Sequence, residues 1–400
     1  MSTQADIKLD EKIVKQPLMP RKYKVVMLND DSTPMEWVVS LLTEIFKHSV
    51  SSAEKIMLTI HGEGSAVVGI YTFEIAEQKS VEAMTLSIPP TPGESVVKRV
   101  DNKDKFSTAS IFTSKGYQVK YLYGGDAYFD NMRDFFSGNS YDIVDKTSFK
   151  PEEITFANIW GVCDGDMANK AIKTMNEEAK KGKPFFNHWM TVSNHRPFTY
   201  PDGKIEIPSD SQTREGGVKY TDFALRQFFK MAEKQPWFKN TVFVIVSDHC
   251  ASSSGKTELP LDKYRIPAMI YAPGFIQPTN NNKLMSQIDL MPTLFGLLNF
   301  NYQSKFYGQD VLKGTYKPRA FIATYQDLGF IKDNVLTILS PVKQSKQFEL
   351  KQIKNEKLGG DFQIYYEETL MSTKRQDLIK EATAYYQTAS DMLQKKKYQK

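Results

Sequence analysis

The chain has 400 residues, 40% of them hydrophobic and 25% charged, which is enough for two or three globular domains that each bury a core. Its net charge of +5 is spread along the chain, so the composition does not favour a nucleic-acid-binding protein. Two cysteines exclude a disulfide framework. We find no charged-then-apolar leader and no apolar run of about 18 residues, and we therefore expect a cytoplasmic protein without a membrane span.

The N-terminal part of the chain alternates short strands with capped helices. Residues 1–19 are polar and aperiodic, which predicts a disordered extension. Capping boxes and apolar periodicity predict the elements that follow: a strand at 24–28, a helix from Thr33, a helix from Ser51 to His61, a strand at 67–73 and a helix from Glu74.

Three short polar residues, Asn29, Asp30 and Asp31, end the first predicted strand just before a helix cap. Chemistry alone leaves two interpretations open. Such residues commonly turn the chain and cap the helix, and a histidine at a helix end such as His61 is commonly structural. Alternatively, these groups surround a cationic peptide amine beside an apolar cavity. The candidate wall residues of that cavity are Met35, Val38, Met57 and Ile60.

Residues 20–82 resemble ClpS, the adaptor that delivers N-degron substrates to the ClpAP protease. The resemblance rests on Tyr23-Lys-Val, Asn29-Asp-Asp, Thr33-Pro-Met-Glu, Ile56-Met-Leu, His61 and Gly69-Ile-Tyr-Thr-Phe-Glu-Ile-Ala-Glu-Gln-Lys79. It implies a small α/β adaptor module whose partners are N-degron substrate proteins and a ClpA-like Clp ATPase. The pattern stops near Val81, so the final strand that closes the sheet in this family is expected to be missing.

The resemblance also implies a role for each candidate residue. The roles are amine binding for Asn29, Asp30 and His61, support of that site for Asp31 and Thr33, gating for Met35, pocket lining for Val38, Met57 and Ile60, and contact with the Clp ATPase for Glu74 and Lys79.

From residue 83 onward helices and strands alternate, which predicts a largely parallel sheet with helices on both faces. Apolar runs at 184–192 and 241–247 predict strands that are covered on both faces. A β meander is expected at 319–352 and a terminal helix at 375–394. The lysine-rich residues 395–400 are interpreted as a solvated, frayed helix end.

Asp248 and His249 follow the second of these apolar runs. Their side chains are expected at the carboxyl edge of the sheet, where open α/β folds place their chemistry. A carboxylate and an imidazole there can bind Mn²⁺, Mg²⁺ or Zn²⁺, and a simple strand-end turn is the alternative. His195 follows the first run and could meet a phosphoryl or sulfuryl oxygen of a substrate.

Residues 82–400 resemble the C-terminal part of the sulfatases and lipoteichoic-acid-synthase-like proteins of the alkaline phosphatase superfamily. The matching stretches include Leu86-Ser-Ile-Pro-Pro-Thr-Pro-Gly93, Trp160-Gly-Val162, Ser193-Asn-His-Arg-Pro-Phe198, Arg214-Glu-Gly-Gly217, Asp248-His-Cys-Ala-Ser252 and Ser286-Gln-Ile-Asp-Leu-Met-Pro-Thr293. The resemblance implies that Asp248 and His249 are metal ligands and that His195 contacts the substrate. The implied reaction is sulfate-ester hydrolysis or phosphoglycerol transfer through a covalent intermediate.

In this family the nucleophile and a further acidic ligand lie upstream of the Leu-Ser-Ile-Pro-Pro loop, where this chain carries the adaptor pattern. Thr72 and Ser80 carry hydroxyl groups near the sequence position of the family's nucleophile, but both belong to the adaptor pattern. Two ligands leave most of a metal's coordination sphere to water, so we expect weak metal binding at most and no turnover.

The predicted organisation is a disordered extension at 1–19, an adaptor domain at 20–82 and an alkaline-phosphatase-like α/β sandwich at 83–400, with both domains incomplete. Three hypotheses follow: an N-degron adaptor that carries an inert sulfatase-like half, a metal-dependent hydrolase or transferase with an N-terminal appendage, or two genes joined by a deletion or an assembly error. Among retained activities we rank the adaptor first, because its amine-binding residues are all present.

Overall fold

The structure is a computed structural model that describes residues 23–28, 34–44, 50–63, 65–71, 75–91, 95–250, 259–324, 327–354 and 364–400. It divides into two compact units, an N-terminal unit, Met1–Phe73, and a C-terminal unit, Glu74–Lys400. The expected extension at 1–19 lies outside the described residues. Within the described part of the chain, no helix is long and apolar enough to span a membrane.

The N-terminal unit pairs two strands and two helices. Its elements are β1 (Tyr23–Leu28), α1 (Met35–Glu44), α2 (Val50–Glu63) and β2 (Ser65–Tyr71). The strands are antiparallel, with Tyr23 opposite Tyr71 and an irregularity between Val25 and Val26. Leu42 of α1 packs against Ala53 and Ile60 of α2 to form a small apolar core. Helix α2 includes Gly62 and begins before Ser51, so the second capping box lies inside the helix rather than at its start.

The next helix, α3 (Ile75–Leu86), belongs to the C-terminal unit although its first half carries the adaptor pattern. Val81 and Leu86 are buried in a core that also contains Phe112 and Phe295. The buried Glu82 carboxylate accepts hydrogen bonds from the Val96 amide, at 2.5 Å, and from the Ser95 hydroxyl. The expected domain boundary between residues 82 and 83 therefore differs from the boundary between the compact units, which lies between Phe73 and Glu74, because α3 is largely buried within the second unit.

Three small sheets and a five-stranded meander organise the described part of the C-terminal unit. The strands are β3 (Gln118–Tyr123), β4 (Asp142–Val144), β5 (Ala157–Asn158), β6 (Gly161–Val162), β7 (Phe185–Met190), β8 (Phe243–Val246), β9 (Ala268–Tyr271), β10 (Ala320–Ala323), β11 (Leu328–Lys332), β12 (Val335–Ser340), β13 (Gln344–Lys354) and β14 (Ile364–Leu370). The helices are α4 (Thr108–Ser114), α5 (Met132–Gly138), α6 (Asp164–Lys180), α7 (Arg214–Ala232), α8 (Leu290–Leu297) and α9 (Gln376–Gln394).

Strands β4, β3 and β7 form a parallel sheet in that order, and β8 pairs with β9 in an antiparallel sheet. One apolar layer, with α4 and α8, covers this region on one side, and a second layer, with α6 and α7, covers the other. The prediction of an α/β fold with a parallel sheet is confirmed. The meander is antiparallel and extends the prediction by one strand, β14.

The lysines at 395–397 and 400 are exposed, as expected for a solvated run, but the end of the chain is not frayed. Tyr398 is fully buried, and its hydroxyl donates a hydrogen bond of 2.6 Å to the Leu86 carbonyl at the end of α3. The Lys400 amide donates to the Asp104 carbonyl at 2.9 Å. An aromatic side chain within the lysine run therefore holds the end of the chain against the core.

Candidate functional site

His195 lies in the loop that follows β7, where its ring contacts the Trp160 indole at a centroid distance of 4.5 Å. Burial lowers the pKa of His195, and the nearby His249 and Arg214 act in the same direction, while Asp248 opposes them. The Nε2 atom of His195 lies 3.9 Å from Oε1 of Glu77 in the first turn of α3. Side chains from four separate segments therefore converge on this histidine.

Asp164, at the start of α6, holds the loop that carries His195. Its buried carboxylate accepts hydrogen bonds from the amides of Val192, at 2.8 Å, and Ser193, at 3.2 Å, and from the Thr221 hydroxyl at 3.2 Å. The Ser193 hydroxyl in turn accepts from the Asp164 amide at 2.9 Å. Burial raises the pKa of Asp164, whereas these hydrogen bonds stabilise its charged form. The loop is thus fixed by a reciprocal pair of bonds just before His195.

Asp248 and His249 face each other after β8, with 3.3 Å between Asp248 Oδ2 and His249 Nε2. The other ring nitrogen of His249, Nδ1, lies 2.7 Å from the Cys250 carbonyl oxygen. A carbonyl can only accept, so Nδ1 carries hydrogen and, in the neutral ring, Nε2 points a lone pair toward the carboxylate. A carboxylate oxygen and an imidazole lone pair that face each other can both bind one metal cation, and a backbone carbonyl on the second nitrogen is typical of a metal-binding histidine.

These two residues fit part of a divalent metal site. Among the described residues, however, no group of three or more histidine, cysteine or acidic side chains is arranged to hold a metal ion. The pair alone leaves the rest of a coordination sphere to other groups.

Gln287 joins α3 to the loop that carries Asp248. Its side-chain amide donates to the Ser80 hydroxyl at 2.8 Å and to the carbonyls of Ser247 and Asp248, both at 2.9 Å. Ser80 is buried, so its hydroxyl is held in this contact rather than presented to solvent. Gln287 lies within the Ser286–Thr293 family motif, which by itself assigns it no role.

Glu77 is a side chain of this site whose role the sequence does not predict, because its segment carries the adaptor pattern. The only local signal is an acidic residue in the first turn of a helix, which also serves as a common helix-stabilising feature. Trp160 and Arg214 were noted within matching motifs without an assigned role. Their place beside His195 depends on tertiary packing.

In the N-terminal unit the structure brings together the three residues expected to line the pocket. Val38 of α1 and Met57 of α2 pack against the cluster that contains Ile60, which is buried. Met35, the first residue of α1, is 40% exposed, and His61 is exposed near the end of α2. The other expected residues of this site, Asn29, Asp30, Asp31 and Thr33, and the expected ATPase contact Glu74 lie outside the described residues.

Lys79, the second expected ATPase contact, lies on α3 within the C-terminal unit. Its ammonium group lies 3.3 Å from the Glu82 carboxylate and donates to the Thr91 carbonyl at 3.1 Å. Contact with an ATPase through this ammonium group would therefore break its interactions with Glu82 and Thr91.

Comparison with known proteins identifies relatives of both parts of the chain. The sulfatase family model matches residues 78–300, and the family model of the ATP-dependent Clp protease adaptor protein ClpS matches residues 19–88. The ClpS adaptor of Leptothrix cholodnii is 52% identical over 69 residues, which is 17% of this chain, and the chain spans 60% of that adaptor's length. The two family matches overlap on α3.

Two solved structures share the fold of most of the chain. A protein of the alkaline phosphatase superfamily from Vibrio parahaemolyticus aligns with a TM-score of 0.73 and 32% identity, covering 81% of this chain and 77% of its own. The lipoteichoic acid synthase LtaP of Listeria monocytogenes aligns with a TM-score of 0.64 and 20% identity, covering 80% of each chain, which supports the fold alone. The chain therefore belongs to the sulfatase family through residues 78–300 and to the ClpS adaptor family through residues 19–88.

Proposed function

We propose that the N-terminal unit binds proteins through a bulky N-terminal residue and acts as an adaptor for a ClpA-like Clp ATPase. The observation that carries the proposal is the joint packing of Val38, Met57 and Ile60 between α1 and α2, the three positions that the adaptor resemblance assigns to the pocket wall. An apolar wall between two helices suits a leucine or phenylalanine side chain. An adaptor of this kind would act in the cytoplasm.

The rest of the proposed pocket recognises the free amine. Asn29, Asp30 and His61 would accept or share hydrogen bonds with the α-amino group, with Asp31 and Thr33 in support, and Met35 would cover the entrance. A cationic amine needs acceptors when an apolar neighbour removes its water, and charge-assisted hydrogen bonds supply them. Glu74 and Lys79 remain candidates for the ATPase contact, with Lys79 subject to the release of its internal partners.

The pocket wall can be tested with two substitutions on neighbouring residues of α2. Met57 packs against the apolar core, whereas Leu58 is 60% exposed. We expect Met57→Lys to abolish binding of a fluorescent peptide that begins with leucine, while Leu58→Lys binds as the parent chain does. Circular dichroism of both variants checks that the unit still folds. Equal binding by the two folded variants would exclude this pocket.

For the C-terminal unit we propose weak binding of a divalent cation by Asp248 and His249, without turnover of an ester. The observation behind this second candidate is Glu77, a carboxylate in the first turn of α3 that lies beside His195, where the family resemblance expects a substrate oxygen. Negative charge there opposes the approach of a sulfate or phosphate ester. Ser80 lies on the same helix, near the sequence position where the family carries its nucleophile. Its hydroxyl accepts a hydrogen bond from Gln287.

The alternative is a metal-dependent sulfuric-ester hydrolase or phosphoglycerol transferase. An activity assay decides between an inactive C-terminal unit and this enzyme. The full chain is incubated with an aryl sulfate, and separately with a phosphoglycerol lipid, in the presence of Mn²⁺, Mg²⁺ or Zn²⁺. We expect no product above background. Turnover that is lost in Asp248→Ala would establish the alternative.

A further inference from the structure

Strands β7 and β8 each have one edge without a strand partner in the described part of the chain. Strand β7 pairs with β3 along one edge, and β8 pairs with β9 along one edge. Among the described residues, no backbone hydrogen bond joins β7 to β8. Open strand edges present unpaired N–H and C=O groups, which pair readily with another strand.

The two strands nevertheless lie side by side and run in the same direction. At their beginnings, the Phe185 ring lies 5.9 Å from the Trp237 ring, and Phe243 lies 5.6 Å from Phe238, the next residue after Trp237. At their ends, His195 follows β7 and is close enough to Asp248, which follows β8, for the two to interact electrostatically. Two parallel strands that lie close together at both ends belong to the same layer of the fold.

A single phenyl ring spans the separation between the strands. The Phe228 ring of α7 lies 5.4 Å from Trp189 on β7 and 6.2 Å from Phe243 on β8. Adjacent strands lie about 5 Å apart, so two strands that flank a vacant strand position lie about 10 Å apart. The lack of a backbone hydrogen bond between β7 and β8 among the described residues fits the larger spacing.

Both strands lie between the same two apolar layers. Phe186 and Val244 pack on the layer with Phe112 and Phe295, and the opposite layer receives Trp189 and Phe243. Even so, every residue of β7 and β8 is only half-buried, whereas Tyr121 and Leu122 of the neighbouring β3 are fully buried. The exposure fits two open edges that face a slot one strand wide.

We propose that this slot binds an extended, uncharged and apolar segment of another polypeptide chain, running parallel to β7 and β8. Both edges require a backbone with alternating donors and acceptors, which a β-strand provides and a helix does not. Both layers are apolar, so the segment needs apolar side chains on its two faces. Strand β7 has six residues, and the bound segment is expected to match that length. This inference is independent of peptide binding by the N-terminal unit, which recognises an N-terminus rather than a strand.

The test uses the full chain and a synthetic peptide in which valine and isoleucine fill six positions between flanking lysines. The control is the same peptide with a central proline, which cannot donate to a strand edge. Hydrogen exchange followed by mass spectrometry reports on the amides of β7 and β8. We expect saturable binding of the first peptide, slower exchange in both strands by about tenfold or more, and at least about tenfold weaker binding of the proline peptide.

Three results would overturn the proposal. Equal binding of the two peptides would mean a non-specific apolar contact. Unchanged exchange in β7 and β8 would place any binding elsewhere. Full protection of both strands before any peptide is added would mean that the chain itself already fills the slot.

Discussion

The Nε2 atom of His195 lies 3.9 Å from Oε1 of Glu77, so a helix that begins within the adaptor pattern places a carboxylate beside the histidine of the sulfatase motif. The two residues are 118 positions apart in sequence, and they meet because α3 packs within the C-terminal unit. Under the proposed function, this carboxylate opposes the approach of an anionic ester to the site.

Neutralising Glu77 is expected to strengthen anion binding. Removing one negative charge at this distance from a bound sulfate changes the free energy of binding by about 1 kcal/mol, or roughly fivefold in affinity. Isothermal titration of Glu77→Gln with p-nitrophenyl sulfate measures the change. The matched control is Glu177→Gln on the exposed side of α6, which should leave the affinity unaltered. If Glu77→Gln binds the ester no better than the parent chain, Glu77 does not repel the substrate.

The stability of the C-terminal unit is expected to fall in acid because of His188. Its ring lies among the rings of Tyr121, Phe136 and Tyr141, and burial lowers the pKa of His188 from 6.5 to about 4. Between these values the unfolded chain binds a proton that the folded chain does not, so stability decreases as the pH falls. The loss approaches about 3 kcal/mol by pH 4.

His188→Phe keeps an aromatic ring in place and removes the titration. Urea unfolding of this variant should therefore depend less steeply on pH between 6.5 and 4 than unfolding of the parent chain. Identical pH profiles for the two proteins would show that His188 takes up its proton at the same pH in the folded and the unfolded chain, so that burial does not lower its pKa.

Helix α3 is expected to stabilise the C-terminal unit alone. Leu86 is fully buried in that unit, and truncation of a buried leucine costs about 2–5 kcal/mol. Leu42→Ala is the matched control, because Leu42 is fully buried in the core of the N-terminal unit. Segment-resolved hydrogen exchange should show faster opening of β3 and β7 in Leu86→Ala and of α1 and α2 in Leu42→Ala. Faster opening of α1 in Leu86→Ala would instead make α3 part of the adaptor module.

Metal binding by Asp248 and His249 is expected to be weak. Two protein ligands should give a dissociation constant for Mn²⁺ of roughly millimolar order, because water fills most of the coordination sphere. Titration calorimetry of the full chain measures it, and Asp248→Asn should remove the signal while Asp262→Asn, on an exposed turn, should retain it. Micromolar binding would mean that further ligands complete the site.

The carboxyl-edge residues could be predicted because they follow apolar runs. The runs that became β7 and β8 placed His195 and Asp248 at strand ends, and the structure brings the two near each other. Helix α6 was not predicted, although Met167, Ala171 and Met175 recur at helical spacing and are buried. Local sequence patterns predict where a strand ends. Which strands pair with each other depends on long-range packing, which such patterns do not show.

The position of α3 could not be predicted for the same reason. Its sequence satisfies both family patterns, and only the burial of Val81 and Leu86 assigns it to one unit. The contact of Glu77 with His195 follows from that assignment and has no local signature. The strands β7 and β8 were expected to be fully covered, and their half exposure reflects open edges that a residue pattern does not reveal.

The most direct test of the proposed function compares one peptide in two chemical states. Fluorescence anisotropy of a labelled peptide that begins with leucine is followed as the full chain is added, with a free and with an acetylated α-amino group. The account predicts saturable binding of the free amine and at least about tenfold weaker binding after acetylation or in Asp30→Ala, because charge-assisted hydrogen bonds are lost. No saturable binding of the free amine, or equal binding of the two peptides, would contradict it.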